Sequence, residues 1–241
     1  MKGVILAGGH GSRLYPLTYA TNKHLLPVYD KPMIYYPIQT LVKAGIKDIM
    51  IVVSGEHSGH FIKVLKNGKE FGIKHLEYGY QDNPKGGIAD ALMAAEDFAD
   101  NKPITVILGD NTTDANILPA IDSFKDGAMI FLKKVPDPQR FGVPIFDPKD
   151  NNKIIACIEK PKKPKTNLAI TGLYIYDNKV FQYIKNCDPK FAGRGELEIT
   201  QVNDFYAKAG KLFWYELKGY WRDAGTFDTL FEANKYWAEK K

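Results

Sequence analysis

Gly8, Gly9 and Gly11 stand together with Ser12 and Arg13, directly after the apolar run Gly3–Ala7. Glycines this dense cannot pack a core. They admit positive φ and let backbone N–H groups come close to a ligand. A loop of this composition leaving a buried strand can nest a phosphate, and Arg13 adds a forked cation suited to phosphate oxygens. It is not a Walker A loop, which needs Lys and then Ser or Thr after its last glycine. Nor is it the dinucleotide fingerprint, because the third glycine would fall at Leu14. The glycines alone also suit a tight strand-to-loop turn with an incidental arginine. Asp110 follows the β-branched run Ile104–Leu108. A carboxylate just past the carboxyl end of a buried strand sits where open α/β sheets bind ligands, and Asp is a hard oxygen ligand suited to Mg²⁺ on phosphates. An Asx turn or a helix cap explains an isolated Gly-Asp-Asn equally well. Glu159-Lys160, by itself, reads as a solvent-exposed charge pair.

The elements that must position these groups are legible in the hydrophobic pattern. Gly3–Ala7 predicts a strand buried on both faces, as in parallel sheets. Met33, Ile34, Ile38, Leu41 and Val42 recur at helical spacing, with Pro32 expected in the first turn and Gly45 as the stop. Asp48–Val53 is a second apolar strand, which makes a right-handed βαβ unit. A helix over 57–65 and a strand over 74–80 follow. Pro84, Gly86 and Gly87 mark a turn, and Gly87 opens a helix bearing Ala91, Leu92 and Ala95. Further strands are expected over 104–108, 128–135, 142–146, 153–158, 168–176 and 212–217. A helix runs through Val202, Phe205 and Tyr206 to Gly210. Thr226 is expected to cap a final amphipathic helix with Phe227, Leu230, Phe231, Asn234 and Trp237 on it.

Bulk properties narrow the class. The chain has 241 residues, 44% hydrophobic and 25% charged, which is ordinary for a globular protein. No apolar run approaches the roughly 20 residues needed to span a bilayer. The amino terminus enters a strand with no signal-peptide pattern, so a cytoplasmic location and no membrane partner are expected. Net charge is +5, which suits anionic substrates without identifying them. The densest basic run, Lys160 to Lys165, carries no interleaved aromatics to stack bases, so no nucleic-acid partner is expected. The only cysteines, Cys157 and Cys187, indicate neither a disulfide framework nor a zinc site. No repeat or low-complexity linker appears, and one domain over residues 1–241 is expected.

Two long blocks carry a family resemblance. Leu6-Ala7-Gly8-Gly9-His10-Gly11-Ser12-Arg13-Leu14-Tyr15-Pro16 resembles the signature of the sugar nucleotidyltransferases, or nucleotide-sugar pyrophosphorylases. The block Asn22 to Pro37, beginning Asn-Lys-His-Leu-Leu-Pro-Val, is similar to the branch that contains the glucose-1-phosphate thymidylyltransferases. The resemblance extends to about Trp237. It implies a Rossmann-like three-layer α/β nucleotidyltransferase fold with a mostly parallel central sheet and an inserted sugar-binding subregion.

The resemblance also implies roles. Gly8, Gly9, Gly11, Ser12 and Arg13 would cradle a nucleoside triphosphate. Gln81 and Gly87 would face the base, an amide being able to read a pyrimidine edge. The turn between them is one residue longer than is usual, and Asp90 stands where glutamine is common, which leaves base preference open. His24 replaces a frequent glutamine near the ribose. Asn111, Gly142, Glu159, Lys160, Thr171 and Arg194 match positions around the sugar phosphate. Asp110 and Asp223 match two metal-binding turns, with Mg²⁺ the cofactor. Arg13, Lys23 and Lys160 would be catalytic cations for direct displacement, the sugar phosphate attacking the α-phosphorus while pyrophosphate leaves.

The expected partners are dTTP and glucose 1-phosphate, with UTP or another nucleotide as the alternative donor. A non-catalytic nucleotide-sugar sensor is a rival from a different class, but it could dispense with the cations and carboxylates seen here. Longer members of the branch carry carboxy-terminal helices that build a regulatory nucleotide site. The sequence stops short of them, so weak or no feedback inhibition is expected. A homo-oligomer is expected on family grounds, though no stretch identifies its interface.

Overall fold

Alternate residues of the first strand, β1 (Lys2–Ala7), serve opposite faces of one sheet. Val4 and Leu6 enter one hydrophobic cluster, and Ile5 and Ala7 enter another. That is why the run is apolar throughout: both faces are covered. The computed structural model of the chain describes every residue except His10, Arg194 and Lys241.

After β1 the chain makes a short hairpin, β2 (Pro27–Val28) with β3 (Lys31–Pro32), and then enters α1 (Tyr35–Lys43). Pro32 is therefore not in the first helical turn, as its spacing had suggested. It pairs with Pro27 across the hairpin, whose turn has Tyr29 at positive φ, while Pro37 occupies the early turn of α1. Tyr29 N donates to Asn234 Oδ1 at 2.7 Å, so the hairpin is set by a contact with the far end of the chain that local spacing cannot reveal. Gly45, at φ 82, ends the α1 segment as expected.

The next elements are β4 (Asp48–Val53), α2 (Ser58–Leu65), β5 (His75–Tyr80), α3 (Ile88–Met93), α4 (Glu96–Ala99) and β6 (Ile104–Leu108). The later half adds β7 (Asn111–Thr113), α5 (Leu118–Ser123), β8 (Ala128–Lys134), β9 (Gly142–Asp147), β10 (Asp150–Glu159) and β11 (Leu168–Tyr176). It closes with α6 (Val180–Lys185), α7 (Ile199–Lys208), β12 (Leu212–Glu216), β13 (Trp221–Asp223) and α8 (Phe227–Glu239).

Seven strands form the central sheet in the order β12-β8-β11-β6-β1-β4-β5. All neighbours are parallel except β11, which runs antiparallel to both β6 and β8. One face packs on α1 and α2 through Ile38, Leu41, Phe61 and Leu65. The other packs on α3, α6 and α7 through Leu92, Phe181, Val202 and Tyr206. This is the three-layer, mostly parallel arrangement expected. The chain leaves β1 for β4 and β5, then returns to place β6 on the other side of β1. The strand order reverses there, and that reversal opens a crevice at the strands' carboxyl ends.

Two small antiparallel pairs flank the crevice. The hairpin β9–β10 lies outside the main sheet and contacts α7 and β11. It is the inserted subregion. The pair β7–β13 registers Asn111 opposite Asp223 and Thr113 opposite Trp221.

Thr226 caps α8, its hydroxyl accepting from Thr229 N in a capping box. The helix buries Thr229, Leu230 and Ala233 against Leu14, Leu26, Met33 and Tyr36. Phe227 and Phe231 were expected on the same apolar stripe, but they are 48% and 70% exposed. They lie four residues apart on one helical ridge, turned away from the ridge that Leu230 and Ala233 present to the core.

Candidate active site

A cavity of about 590 Å³ opens at the crevice, bounded by the ends of β1 and β6, by β11, and by the β9–β10 hairpin. It is lined by Gly8, Gly9, Arg13, Lys23, His24, Gln81 and Gly87 on the side of β1, β5 and α3. Asp110, Asn111, Gly142, Glu159, Lys160, Thr171 and Asp223 line the rest. Most of the residues singled out in the sequence therefore meet in one place. Gly11 and Ser12 do not line it. Gly11 has φ 64 and its carbonyl accepts from Thr18 Oγ1 at 2.9 Å, while Ser12 begins a single 3₁₀ turn. Arg194 lies outside the described residues.

The two aspartates come from opposite halves of the chain and are joined by register. Ala224 N donates to Asp110 O at 2.8 Å, and β7–β13 pairing brings Asp223 to the same rim. Their electrostatics differ. Burial, the largest single influence, would raise the Asp110 carboxyl, but the charge and hydrogen bond of Lys23 Nζ at 2.6 Å, together with a hydrogen bond from Asn111 Nδ2 at 3.0 Å, act the other way and prevail. Asp110 is thus held well below the ordinary carboxylate range. Asp223 is pushed up to about 6, first by burial and then by repulsion from Asp110. Arg140, Arg13 and Arg222 oppose this shift without cancelling it. Arg140 Nη2 is 3.9 Å from Asp223 Oδ2 and holds Asp137 at 2.8 Å through Nη1. Oδ1 of Asp223 is buried and has no hydrogen-bond partner among the described residues.

Asn111 works as a buckle. Its Oδ1 accepts from Trp221 Nε1 at 2.7 Å and from Gly172 N at 3.1 Å, and its Nδ2 steadies Asp110. The β11 ladder with β8 slips between Ile170 and Tyr174, which frees Gly172 N for this contact. A Cβ on Gly172 would sit 2.7 Å from Asn111 and from Leu108, so only glycine fits. Thr171 Oγ1 is spent on Phe131 O at 2.9 Å. Asn111 and Thr171 therefore shape the wall, the Thr171 hydroxyl proton and the Asn111 side-chain amide having partners within the protein.

Other expected contacts have internal partners too. Lys23 neutralises Asp110. Lys160, at positive φ 43, forms an ion pair with Glu159 Oε1 at 3.0 Å. A non-glycine residue in that region is strained, and such strain clusters at binding sites. Glu159 Oε2 accepts from Thr200 Oγ1 at 2.6 Å, beside Gly142. His24 is 1% exposed, and its Nδ1 meets Asn22 Oδ1 at 2.7 Å. Burial, then Lys23, lowers it to about 3, so it is a neutral wall residue at neutral pH rather than a cation. Arg13 is exposed, lies beside Gly225, and forms no ion pair among the described residues.

Three contributors escaped the sequence reading. Ser54, at the end of β4, accepts from Gly9 N at 2.9 Å and so shapes the glycine loop. Trp221 anchors Asn111, and Thr200 orients Glu159. No local signal marks Ser54 or Thr200. Trp221 stands two residues before Asp223, which the sequence had singled out, and an indole N–H placed among buried groups needs an acceptor.

The nucleotidyl transferase family profile matches residues 2–240. A Neisseria gonorrhoeae glucose-1-phosphate thymidylyltransferase is 43% identical, over 98% of this chain and 82% of its own. The Mycolicibacterium smegmatis protein of that name is 40% identical, over 98% and 82%. A Bacillus anthracis crystal structure, provisionally assigned as a glucose-1-phosphate thymidylyltransferase and complexed with a sucrose, superposes at TM-score 0.90. Its identity is 50%, over 98% of this chain and 94% of that one. A UDP-glucose pyrophosphorylase complexed with UDP-glucose superposes at 0.84 with 23% identity, over 100% and 99% of the two chains, a likeness of fold alone. The chain belongs to the nucleotidyl transferase family, within its glucose-1-phosphate thymidylyltransferase group. Its activity is of the general type that group defines, formation of a nucleotide sugar from a sugar 1-phosphate and a nucleoside triphosphate. No helix among the described residues is long and apolar enough to cross a membrane.

Proposed function

We propose that the chain, as one domain over residues 1–241, transfers a thymidylyl group from dTTP to glucose 1-phosphate, releasing pyrophosphate. The observation that carries this reading is the convergence of Asp110 and Asp223 on one cavity that also presents Arg13, Lys23 and Lys160. Both substrates are polyanions, so transfer demands positioning and charge compensation more than covalent chemistry. Arg13 takes triphosphate oxygens beside the Gly8-Gly9 backbone and steadies departing pyrophosphate. Lys160 and Lys23 orient the sugar phosphate, which is ionised near neutral pH and needs no general base. Gln81 and Gly87 face the base, and Glu159 meets sugar hydroxyls.

The orphaned Oδ1 of Asp223, on a carboxyl raised first by burial and then by repulsion from Asp110, fits a hard divalent cation. Among the described residues no third carboxylate, His or Cys joins the pair, which leaves the remaining ligand positions to phosphate and water oxygens. Asp110 and Asp223 would hold Mg²⁺, which when bound supplies positive charge against phosphate oxygens.

The test is pyrophosphate release from glucose 1-phosphate with dTTP, UTP, CTP, ATP and GTP in parallel. A dTTP preference supports the reading. A UTP preference keeps the mechanism and changes the donor. Release with no nucleotide and no other sugar 1-phosphate would favour a binding protein on the same fold. Arg13→Ala should lower kcat by about 100-fold, the loss typical of one transition-state charge contact, with the melting temperature unchanged. A drop in melting temperature with normal kcat would make Arg13 structural.

A further inference from the structure

Gln81 sits at the end of β5, 5% exposed, in the wall of the cavity. Its Nε2 donates to Asp90 Oδ2 at 2.8 Å and to Gly87 O at 3.2 Å. A carboxylate and a peptide carbonyl can only accept, so both require the amide nitrogen on their side. That consumes both Nε2 hydrogens and leaves Oε1 beside Gly8, where a built Cβ would be 2.6 Å away. Oε1 accepts no hydrogen bond among the described residues. Asp90 is placed by close packing in the first turn of α3, its carboxylate lying where a side chain on Gly86 would collide with it.

We infer that Asp90 is a positioning residue that fixes the polarity of Gln81, so that this side chain presents only its acceptor to the base and selects bases bearing a ring N–H. This rests on the proposal that Gln81 faces the base. Thymine and uracil carry N3–H, which Oε1 accepts. Cytosine presents a bare N3 there, and two acceptors facing each other in a dry wall repel and leave lone pairs unpaired. Without Asp90 only the longer Gly87 contact holds the amide. The side chain can then turn its N–H₂ toward the cavity and receive cytosine.

The experiment compares kcat and KM for dTTP and CTP, with saturating glucose 1-phosphate, in wild type, Asp90→Ala and Asp90→Asn. Alanine raises helix propensity at this α3 position, so folding is expected to survive, and Asp90→Leu supplies a second non-accepting variant. The expected result is a fall of about tenfold in the dTTP-over-CTP ratio of kcat/KM for Asp90→Ala, carried by KM with kcat for dTTP within about twofold. Asp90→Asn, which still offers Oδ1 to Gln81, should restore the ratio to near wild type. A wild type that prefers dTTP while Asp90→Ala keeps the full ratio overturns the role of Asp90 and leaves the proposed reaction standing. A wild type that releases pyrophosphate with neither pyrimidine nucleotide overturns both. Equal loss of kcat for both nucleotides, unrelieved by asparagine, would mark Asp90 as a merely structural residue and also overturns the inference.

Discussion

Asp110→Asn should lower kcat by about a thousandfold or more, and it should also destabilise the protein. On the proposed reading, the catalytic loss follows from removing one of the two carboxylates that would hold Mg²⁺ against the phosphates, in a site where charge compensation does most of the work. The stability loss follows from Lys23. Its side chain is 15% exposed and its Nζ lies 2.6 Å from Asp110. Removing one partner of a buried pair strands the other charge, at a cost of about 3 kcal/mol. A third consequence separates this account from a general disruption. Asp223 is raised partly by Asp110, so its carboxyl should move back toward the ordinary range in the variant. Urea unfolding of the chelator-treated protein from pH 4 to 7 reads all of this except turnover. A variant with wild-type turnover would remove Asp110 from the site.

Asp223→Asn should also lower turnover, by about a hundredfold to a thousandfold, but with the opposite effect on stability. The folded-state value of Asp223 is about 6, against about 3.9 in an unfolded chain. The folded protein therefore binds the extra proton between these limits, and stability from this group is greatest below pH ~4. That stability is lost as pH rises through 6. At pH 7.5 the wild type carries a charge that burial and Asp110 disfavour, with a full penalty of about 3 kcal/mol by the shift alone. Asparagine has no such penalty. Thermal unfolding in chelator should show the variant about 1–3 kcal/mol more stable at pH 7.5, with the difference vanishing near pH 4. A less stable variant at pH 7.5 would mean that Arg140 and Arg13 more than compensate the carboxylate. Asp110→Asn and Asp223→Asn thus share a catalytic phenotype and differ in the sign of their effect on folding. The reason is that one aspartate owns a lysine and the other is left facing a like charge.

The local elements were readable because local physics makes them. The continuous apolar runs of β1, β4 and β6 can only be covered on both faces, and the glycines after β1 and before α3 can only be loops. Thr226 caps α8 by the hydroxyl chemistry of its own first turn. The candidate residues were legible only in part: a glycine loop, an aspartate or a charge pair past a strand end also suits a turn, a cap or a solvated face, and it was the family blocks that singled out these residues, most of which line one cavity. Misreadings arose where a distant partner overrode local spacing. Pro32 suits a helix start until Pro27 pairs with it and Asn234 holds the hairpin. Phe231 suits an amphipathic stripe until the core of α8 turns out to be Leu230 and Ala233.

Residue chemistry, buried strands and the order of the loops follow from the sequence by itself, because each depends on neighbours within a few positions. Which groups are free, paired or opposed was decided only in three dimensions. Register between β7 and β13 sets Asp223 against Asp110, Lys23 reaches one aspartate and not the other, and Asp90 turns one amide. These are interactions of charge and hydrogen-bond direction across long sequence separations. Their energies depend on separation in space, burial and orientation, none of which a linear spacing encodes.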